Sequence, residues 1–479
     1  MRGRRWQQSL LLAVCLISAP AFGQTPAAVS DETKAKEAQA FVDTWNDKGR
    51  ELCEDNAPGC AAAGLSLVRA AELFEEAHQR TKAIVTRTII LEPRYHLDYT
   101  EYGKKTLFEI AEDWKAVAEY DRAAGYLETL GRKFPAMEEA PLALTDAVVF
   151  RLALGDVAAA KKNVELYAKN YGSKKPVELT KMFVGMGLWL EEQGDEAESK
   201  KWIKSNMPLI DRSGTVDLRF RAHVLFGRLL SHEGDVKGAA AEYEVVRTAY
   251  QNPESVLKDL RAAETDEATV DRKTGQVLMA VGEALFFAAE QKRADVDAIR
   301  FPEYKGSGDM TSVLKHINTK VKDWMVKKRE ALEVTERAYM AILSLQPVAP
   351  PRWVIAASAR VGQLRAKFAA EFRAAPVPKE WRSNGLIPNT NMTYTELRNM
   401  YYEAIDQASA PLRDTAKAAF ETCQKYSVQF QWADENTRTC DQWLAKYDRK
   451  RHIPVVEFIP KLVGSSVRIV PEPVPEPVK

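Results

Sequence analysis

Six histidines and a scatter of carboxylates are the residues in this 479-residue chain that could hold a metal or move a proton. Their spacing favours neither. His78, His96, His223, His232, His316 and His452 stand nine or more residues apart. No pair repeats the His-Glu-x-x-His spacing that sets two imidazoles on one helix face for zinc. His223 falls on the apolar side of a helical pattern, where a packed imidazole is expected rather than a ligand. Gly185-Met186-Gly187 lacks the third glycine and the preceding strand of a dinucleotide loop, and reads instead as close helix packing. There is no Gly-x-Ser-x-Gly elbow to raise a nucleophile. Acidic residues are spread over helical faces, and Trp114, Trp189, Trp324 and Trp443 sit within helical patterns. We therefore expect no metal, no cofactor and no catalysis.

The cysteines carry the remaining chemistry. Cys15 lies inside a leader-like segment: Arg2, Arg4 and Arg5, an apolar run over residues 10–19, and Ala21-Phe22-Gly23 before Gln24. That pattern is a secretory signal with cleavage before Gln24. Val14 is too large for the residue that usually precedes a lipidated cysteine, so no lipid is expected on Cys15. Removing residues 1–23 takes three arginines and no acid from a chain of formal charge +1, leaving it slightly acidic. That balance argues against bulk nucleic-acid binding, which needs basic clustering. Cys53, Cys60, Cys423 and Cys440 remain, and four cysteines allow three pairings. Neither close pair has zinc-ligand spacing. Local pairing demands least of the chain. A Cys423–Cys440 bond should staple the last hairpin, with Cys53–Cys60 pairing likewise at the other end.

What must position any site is helical. Gly155-Asp156, Gly194-Asp195 and Gly234-Asp235 recur at spacings of 39 and 40 residues. Each sits between two runs with apolar residues three and four apart, a helix face. An earlier copy keeps the place without the glycine, at Glu119-Tyr120-Asp121. Such a period signals stacked helical hairpins. Gly187 and Gly227 each precede their turn glycine by seven residues, and opposite them Ala123, Ala160, Ser199 and Ala239 let the second helix come close. Gly227 is expected to face Ala239. Around this array the pattern predicts a signal peptide over 1–23, an N-terminal hairpin over 24–100 with one long helix at 65–90, and the repeats over 104–253. An irregular helical insert over 254–310 follows, then further repeat-like helices over 311–460. Within these, one helix begins at Thr393 and the next carries Pro411 in its first turn. The Pro-Glu repeat of the tail, 461–479, favours polyproline II and cannot pack a core.

The order large, large, small, aromatic, then Ala, large, large, Pro resembles the tetratricopeptide repeat, best at Phe226, Gly227, Ala239 and Tyr243. The copies here run longer than that family's 34 residues, and copy two has Val148 where a small residue belongs. The resemblance implies an all-α, right-handed helical-hairpin solenoid that binds proteins along a wall of first helices. By repeat register that wall holds Lys105, Phe108 and Glu112, then Lys181 and Leu188, then Arg221, Val224, Arg228 and His232. Lys115, Thr145, Val149, Leu152, Val184 and Glu191 belong to the same register. The mix of charge and aliphatic surface suits an extended peptide or a partner helix.

A narrower resemblance covers about a quarter of the chain. Glu333-Val334, Ala338-Tyr339, Ala359-Arg360-Val361-Gly362, Pro411-Leu412-Arg413, residues 416–420, Cys440 and Glu457-Phe458 are similar to exported myxobacterial repeat proteins of the adventurous gliding machinery. That resemblance implies a non-enzymatic periplasmic scaffold, peripheral to the outer membrane, whose partners are other envelope proteins, including further repeat proteins or outer-membrane components. The alternatives are a partner or regulator of peptidoglycan enzymes and a glycan-binding envelope protein.

Overall fold

The structure, a computed structural model, describes residues 30–453. The expected leader, residues 454–460 and the Pro-Glu tail lie outside the described residues. Among the described residues there is no strand, only an isolated bridge between Leu386 and Thr393. The chain divides into two compact units, Met1–Lys174 and Lys175–Lys479. Each is built from helices packed on their neighbours in sequence, so the expected all-α hairpin architecture is present.

In the first unit α1 (Asp31–Thr44) runs through a π-helical turn into α2 (Arg50–Glu54). Three hairpins follow: α3 (Cys60–Glu76) with α4 (Arg80–Ile90), α5 (Glu101–Ala116) with α6 (Tyr120–Lys133), and α7 (Ala140–Ala153) with α8 (Val157–Tyr171). A buried ion cluster ties two of them together. Asp113 of α5, whose side chain is fully buried, accepts from Arg87 and Arg80 of α4, and Arg87 also reaches Glu75 of α3 at 2.9 Å.

The second unit opens with two more hairpins, α9 (Pro176–Glu192) with α10 (Glu196–Ser213) and α11 (Val216–His232) with α12 (Val236–Ala249). Then come α13 (Pro253–Ala263), the 32-residue α14 (Glu267–Ala298), and α15 (Met310–His316), which continues through a second π turn into α16 (Lys322–Leu343). The unit closes with α17 (Pro351–Arg373), α18 (Tyr394–Phe430) and α19 (Glu435–Tyr447).

The hairpin turns show why the period exists. Gly155, Gly194 and Gly234 take φ of 77°, 82° and 87°, left-handed values that glycine adopts without steric cost. The aspartate after each caps the next helix, accepting from the backbone N–H of Ala159, Glu198 and Gly238 respectively. Ala118 and His78 adopt the same turn, at φ of 63° and 57°, where a side chain makes it costlier. The left-handed residues therefore fall at 78, 118, 155, 194 and 234, and α3–α4 is an earlier copy of the same hairpin. The helix expected over 65–90 is thus two helices, broken at His78. A period keyed on glycine does not register that break.

Close helix approach is as expected, with one correction. Ser199 Oγ donates to the Gly187 carbonyl at 2.7 Å, and Ala123, Ala160, Ser199 and Ala239 are wholly buried. At Gly227, however, a Cβ would meet the Tyr243 ring at 3.2 Å and Glu242 Cβ at 3.3 Å. Its facing residue is Tyr243, one turn beyond Ala239.

Pro411 also departs from expectation, since α18 runs straight through it for 37 residues. An interior proline removes one backbone hydrogen bond. Here Arg413 clamps the preceding turn through the Asp406 carboxylate at 2.9 and 3.2 Å and Ser409 Oγ at 2.6 Å. Packing on α17 holds the rest: Phe420 fills the space over Gly362, where a Cβ would come within 2.7 Å of its ring.

Both local disulfides are present, with Cα separations of 4.7 Å for Cys53–Cys60 and 6.5 Å for Cys423–Cys440. The second joins α18 to α19, the last described helix. Closing a loop of this length stabilises by about 3 kcal/mol in the chain-entropy model. Replacing both Cys423 and Cys440 by alanine should cost about that much in thermal unfolding under non-reducing conditions. Non-reducing peptide mapping that finds Cys423 as a free thiol in the purified protein contradicts the pairing.

Candidate functional site

Within the second unit, α9, α11 and α14 and the chain entering α17 enclose an open cavity of about 410 Å³. Leu188 comes from α9, Arg221, Val224 and Arg228 from α11, Arg272, Gln276, Met279 and Glu283 from α14, and residues 348–351 close one side. That closing segment is seated by Gly282, where a Cβ would lie 2.6 Å from Trp353 and 2.9 Å from Pro350. The walls are mainly aliphatic, and the charged residues are three arginines and Glu283.

The arginines are used differently. Arg228 is locked: its guanidinium gives Nε and Nη2 to Glu191 at 2.5 and 2.8 Å and Nη1 to Glu283 at 2.6 and 2.8 Å. Tyr243 donates its hydroxyl to Glu283 at 3.2 Å. Burial pushes the Glu283 carboxyl above its ordinary range against the pull of Arg228, and lifts the Tyr243 hydroxyl too. Burial would also lower Arg228, but Glu191 and Glu283 more than reverse it.

Arg221 has no such partner. Burial lowers its pKa, the charge of Asp217 opposes that, and Arg272 adds repulsion. A guanidinium nevertheless remains protonated in proteins. Among the described residues neither Arg221 nor Arg272 forms a salt bridge. Asp217, one turn back on α11, is itself buried with Oδ1 unpartnered. The cavity thus presents two guanidiniums that form no salt bridge, Arg221 being balanced only in part by the charge of Asp217, against an aliphatic wall, which suits an acidic group on an otherwise apolar ligand.

The residues expected along one wall divide between the units. In the first, Lys105 is exposed and 3.5 Å from Glu109, Phe108 is half-buried, and Glu112 pairs with Lys115. Val149 and Leu142 are both exposed on α7, Thr145 is half-buried, and Leu152 is buried. In the second unit Leu188 and Arg221 line the cavity, and Lys181 is exposed on α9. Val184 is a core residue, 0% exposed, so the register places it one face too far outward; Val224, 4% exposed, is largely buried and lines the cavity. Arg228 and Glu191 are spent on each other. His232 is exposed near α10, its Nδ1 2.9 Å from Glu196, away from the cavity.

The α14 contribution escaped the sequence reading, which treated that stretch as an irregular insert. One signal was available. Glu283 is a lone acid within the apolar run 277–289, and a carboxylate there requires a cation from another element.

His223 is buried as expected, but it is not an inert core residue. Nδ1 lies 2.6 Å from Glu242 and Nε2 3.0 Å from Asp211. Burial alone would lower its pKa, yet the two carboxylates outweigh it and raise the value. A group raised on folding contributes stability fully below its unfolded pKa and loses it as pH rises through the folded value. The thermal midpoint should therefore fall as pH climbs from about 6 through the raised value of His223. His223→Gln should flatten that part of the profile, and an identical slope in the variant would contradict the ion-pair assignment.

Among the described residues there is no cluster of metal-ligating side chains, and no helix is long and apolar enough to cross a membrane. No family model and no curated protein matches the chain. Among solved structures, the chain is aligned with Naa15/Naa10 bound to HypK-THB at 10% identity and a TM-score of 0.31, over 87% of this chain and 59% of that one. It is also aligned with a circular tandem repeat protein at 13% identity and a TM-score of 0.18, over 88% and 89% respectively. The chain therefore spans under two thirds of the first of these, and likenesses at such scores decide nothing about function.

Proposed function

We propose that this chain is an exported, non-enzymatic docking platform that holds partner proteins in the cell envelope. The observation that carries it is the cavity beside Arg221 and Arg272, where aliphatic walls and two guanidiniums that form no salt bridge lie at a hairpin array suited to peptide binding. The leader-like sequence and the two disulfides support an oxidising, extracytoplasmic location. The resemblance over residues 333–458 supports a place in gliding machinery, with other envelope proteins as partners. The exposed face in the first unit, with Lys105, Phe108, Glu112 and the apolar pair Leu142 and Val149, is proposed as a further contact surface.

Charge reversal tests the reading, with Arg228 left intact because its loss would disturb folding. Lys181→Glu with Arg221→Glu and Arg272→Glu should reduce partner recovery from crosslinked cells at least tenfold, with helicity unchanged by circular dichroism. Undiminished recovery by the triple variant would place docking elsewhere.

A further inference from the structure

We propose that the arginine cavity of the second unit is a docking site for the chain's own Pro-Glu repeat, residues 470–477, bound in cis. The proposal rests on the docking reading of that cavity, and it names an occupant that outside partners must displace. The repeat lies outside the described residues, and its chemistry complements the cavity. Glu472 and Glu476 are each flanked by proline on both sides, with Val470, Val474 and Val478 between the units. Such a segment offers a carboxylate on an apolar, stiff stem. The cavity offers the matching pair: Arg221, which forms no salt bridge and feels Asp217 only through its charge, and a wall of Leu188, Met279 and Val348 beside Pro350 and Pro351.

Two general considerations favour this occupant. Proline already restricts the backbone, so little ordering entropy remains to oppose docking. The tether supplies the rest. Residues 454–469 separate the last described residue from the repeat, a reach of up to about 55 Å. Flexible linkers of this length give effective concentrations around the millimolar range when they span the two sites, so a contact of millimolar affinity would be about half filled. Two equivalent glutamates four residues apart raise that occupancy, since either can engage Arg221.

The test uses the full chain with a photoreactive benzoylphenylalanine at Met279. After irradiation and trypsin digestion, the peptide spanning 469–479 should appear joined to the α14 peptide in monomeric protein. Arg221→Glu should reduce that adduct at least tenfold, with Arg221→Gln giving a smaller loss if the reversal misfolds. Adding Glu472→Lys and Glu476→Lys to Arg221→Glu should restore it. A Met279 adduct that never includes 469–479, or that Arg221→Glu leaves unchanged, overturns the proposal. So does an adduct found only in covalent dimers, which would assign the repeat to a second copy. Partner recovery separates the two readings. If it is lost in the Lys181, Arg221, Arg272 triple variant while the tail adduct is absent, only the cis occupant fails. A tail adduct with no arginine-dependent partner would sink the platform instead.

Discussion

Arg228→Met should destabilise the second unit by about 3–5 kcal/mol, the loss typical when one partner of a buried ion pair is removed. Arg228 alone bridges Glu191 of α9 and Glu283 of α14, and both carboxylates are more than four-fifths buried. Methionine keeps much of the aliphatic stem but removes the only cation that bridges the two acids, leaving Glu283 with just the more distant charge of Arg352. Glu283 is already pushed upward by burial, so in the variant it should take up a proton more readily. The deficit should therefore shrink as the pH is lowered. Urea unfolding at two pH values measures this. Arg228→Met together with Glu283→Gln should recover part of the loss, because the amide removes one uncompensated charge. A variant that unfolds at the wild-type midpoint would mean that the bridge seen here does not form.

The second large effect concerns two glycines on one helix. A Cβ at Gly187 would lie 2.5 Å from Ile203 Cδ1 and 3.1 Å from Leu225, whereas at the exposed Gly185 it would meet nothing within 4 Å. Gly187→Leu should force α9 from α10 and α11 and cost about 1–3 kcal/mol or more by overpacking. Gly185→Leu should instead be neutral or stabilising by up to about 1 kcal/mol, since leucine is the better helix former. The chemical change is the same in both, so thermal unfolding of the pair isolates packing. Equal midpoints would show that the helix face has been assigned wrongly.

Most of the helical architecture could be read from residue order, because the turn glycines and the Asp caps that follow them mark hairpin ends directly. The same signal misled where the turn uses another residue. His78 and Ala118 take the left-handed conformation without glycine, and the first of these hid a hairpin inside an expected single helix. Pro411 misled in the opposite sense, since tertiary contacts along α17 and the Arg413 clamp outweigh the proline's local preference. The candidate site was only half legible. Repeat register pointed to Leu188, Arg221 and Val224, which line the cavity, but it also selected Val184, which is wholly buried because a helix in this array is packed on more than one side. Arg272 and Met279 reach the cavity from a stretch with no repeat signature, and residues 348–351 from the separate C-terminal set of helices, all more than forty residues away in sequence. Only the lone Glu283 pointed there.

The docking role of the Arg221 cavity is tested most directly by photocrosslinking in the producing cell. Benzoylphenylalanine would be placed in turn at Leu188, on the cavity wall, and at Lys237, exposed at the start of α12. A discrete heterologous adduct should form from position 188 and disappear with Arg221→Glu, with none from position 237. Adducts from 237 alone, or a 188 adduct indifferent to Arg221→Glu, would contradict it.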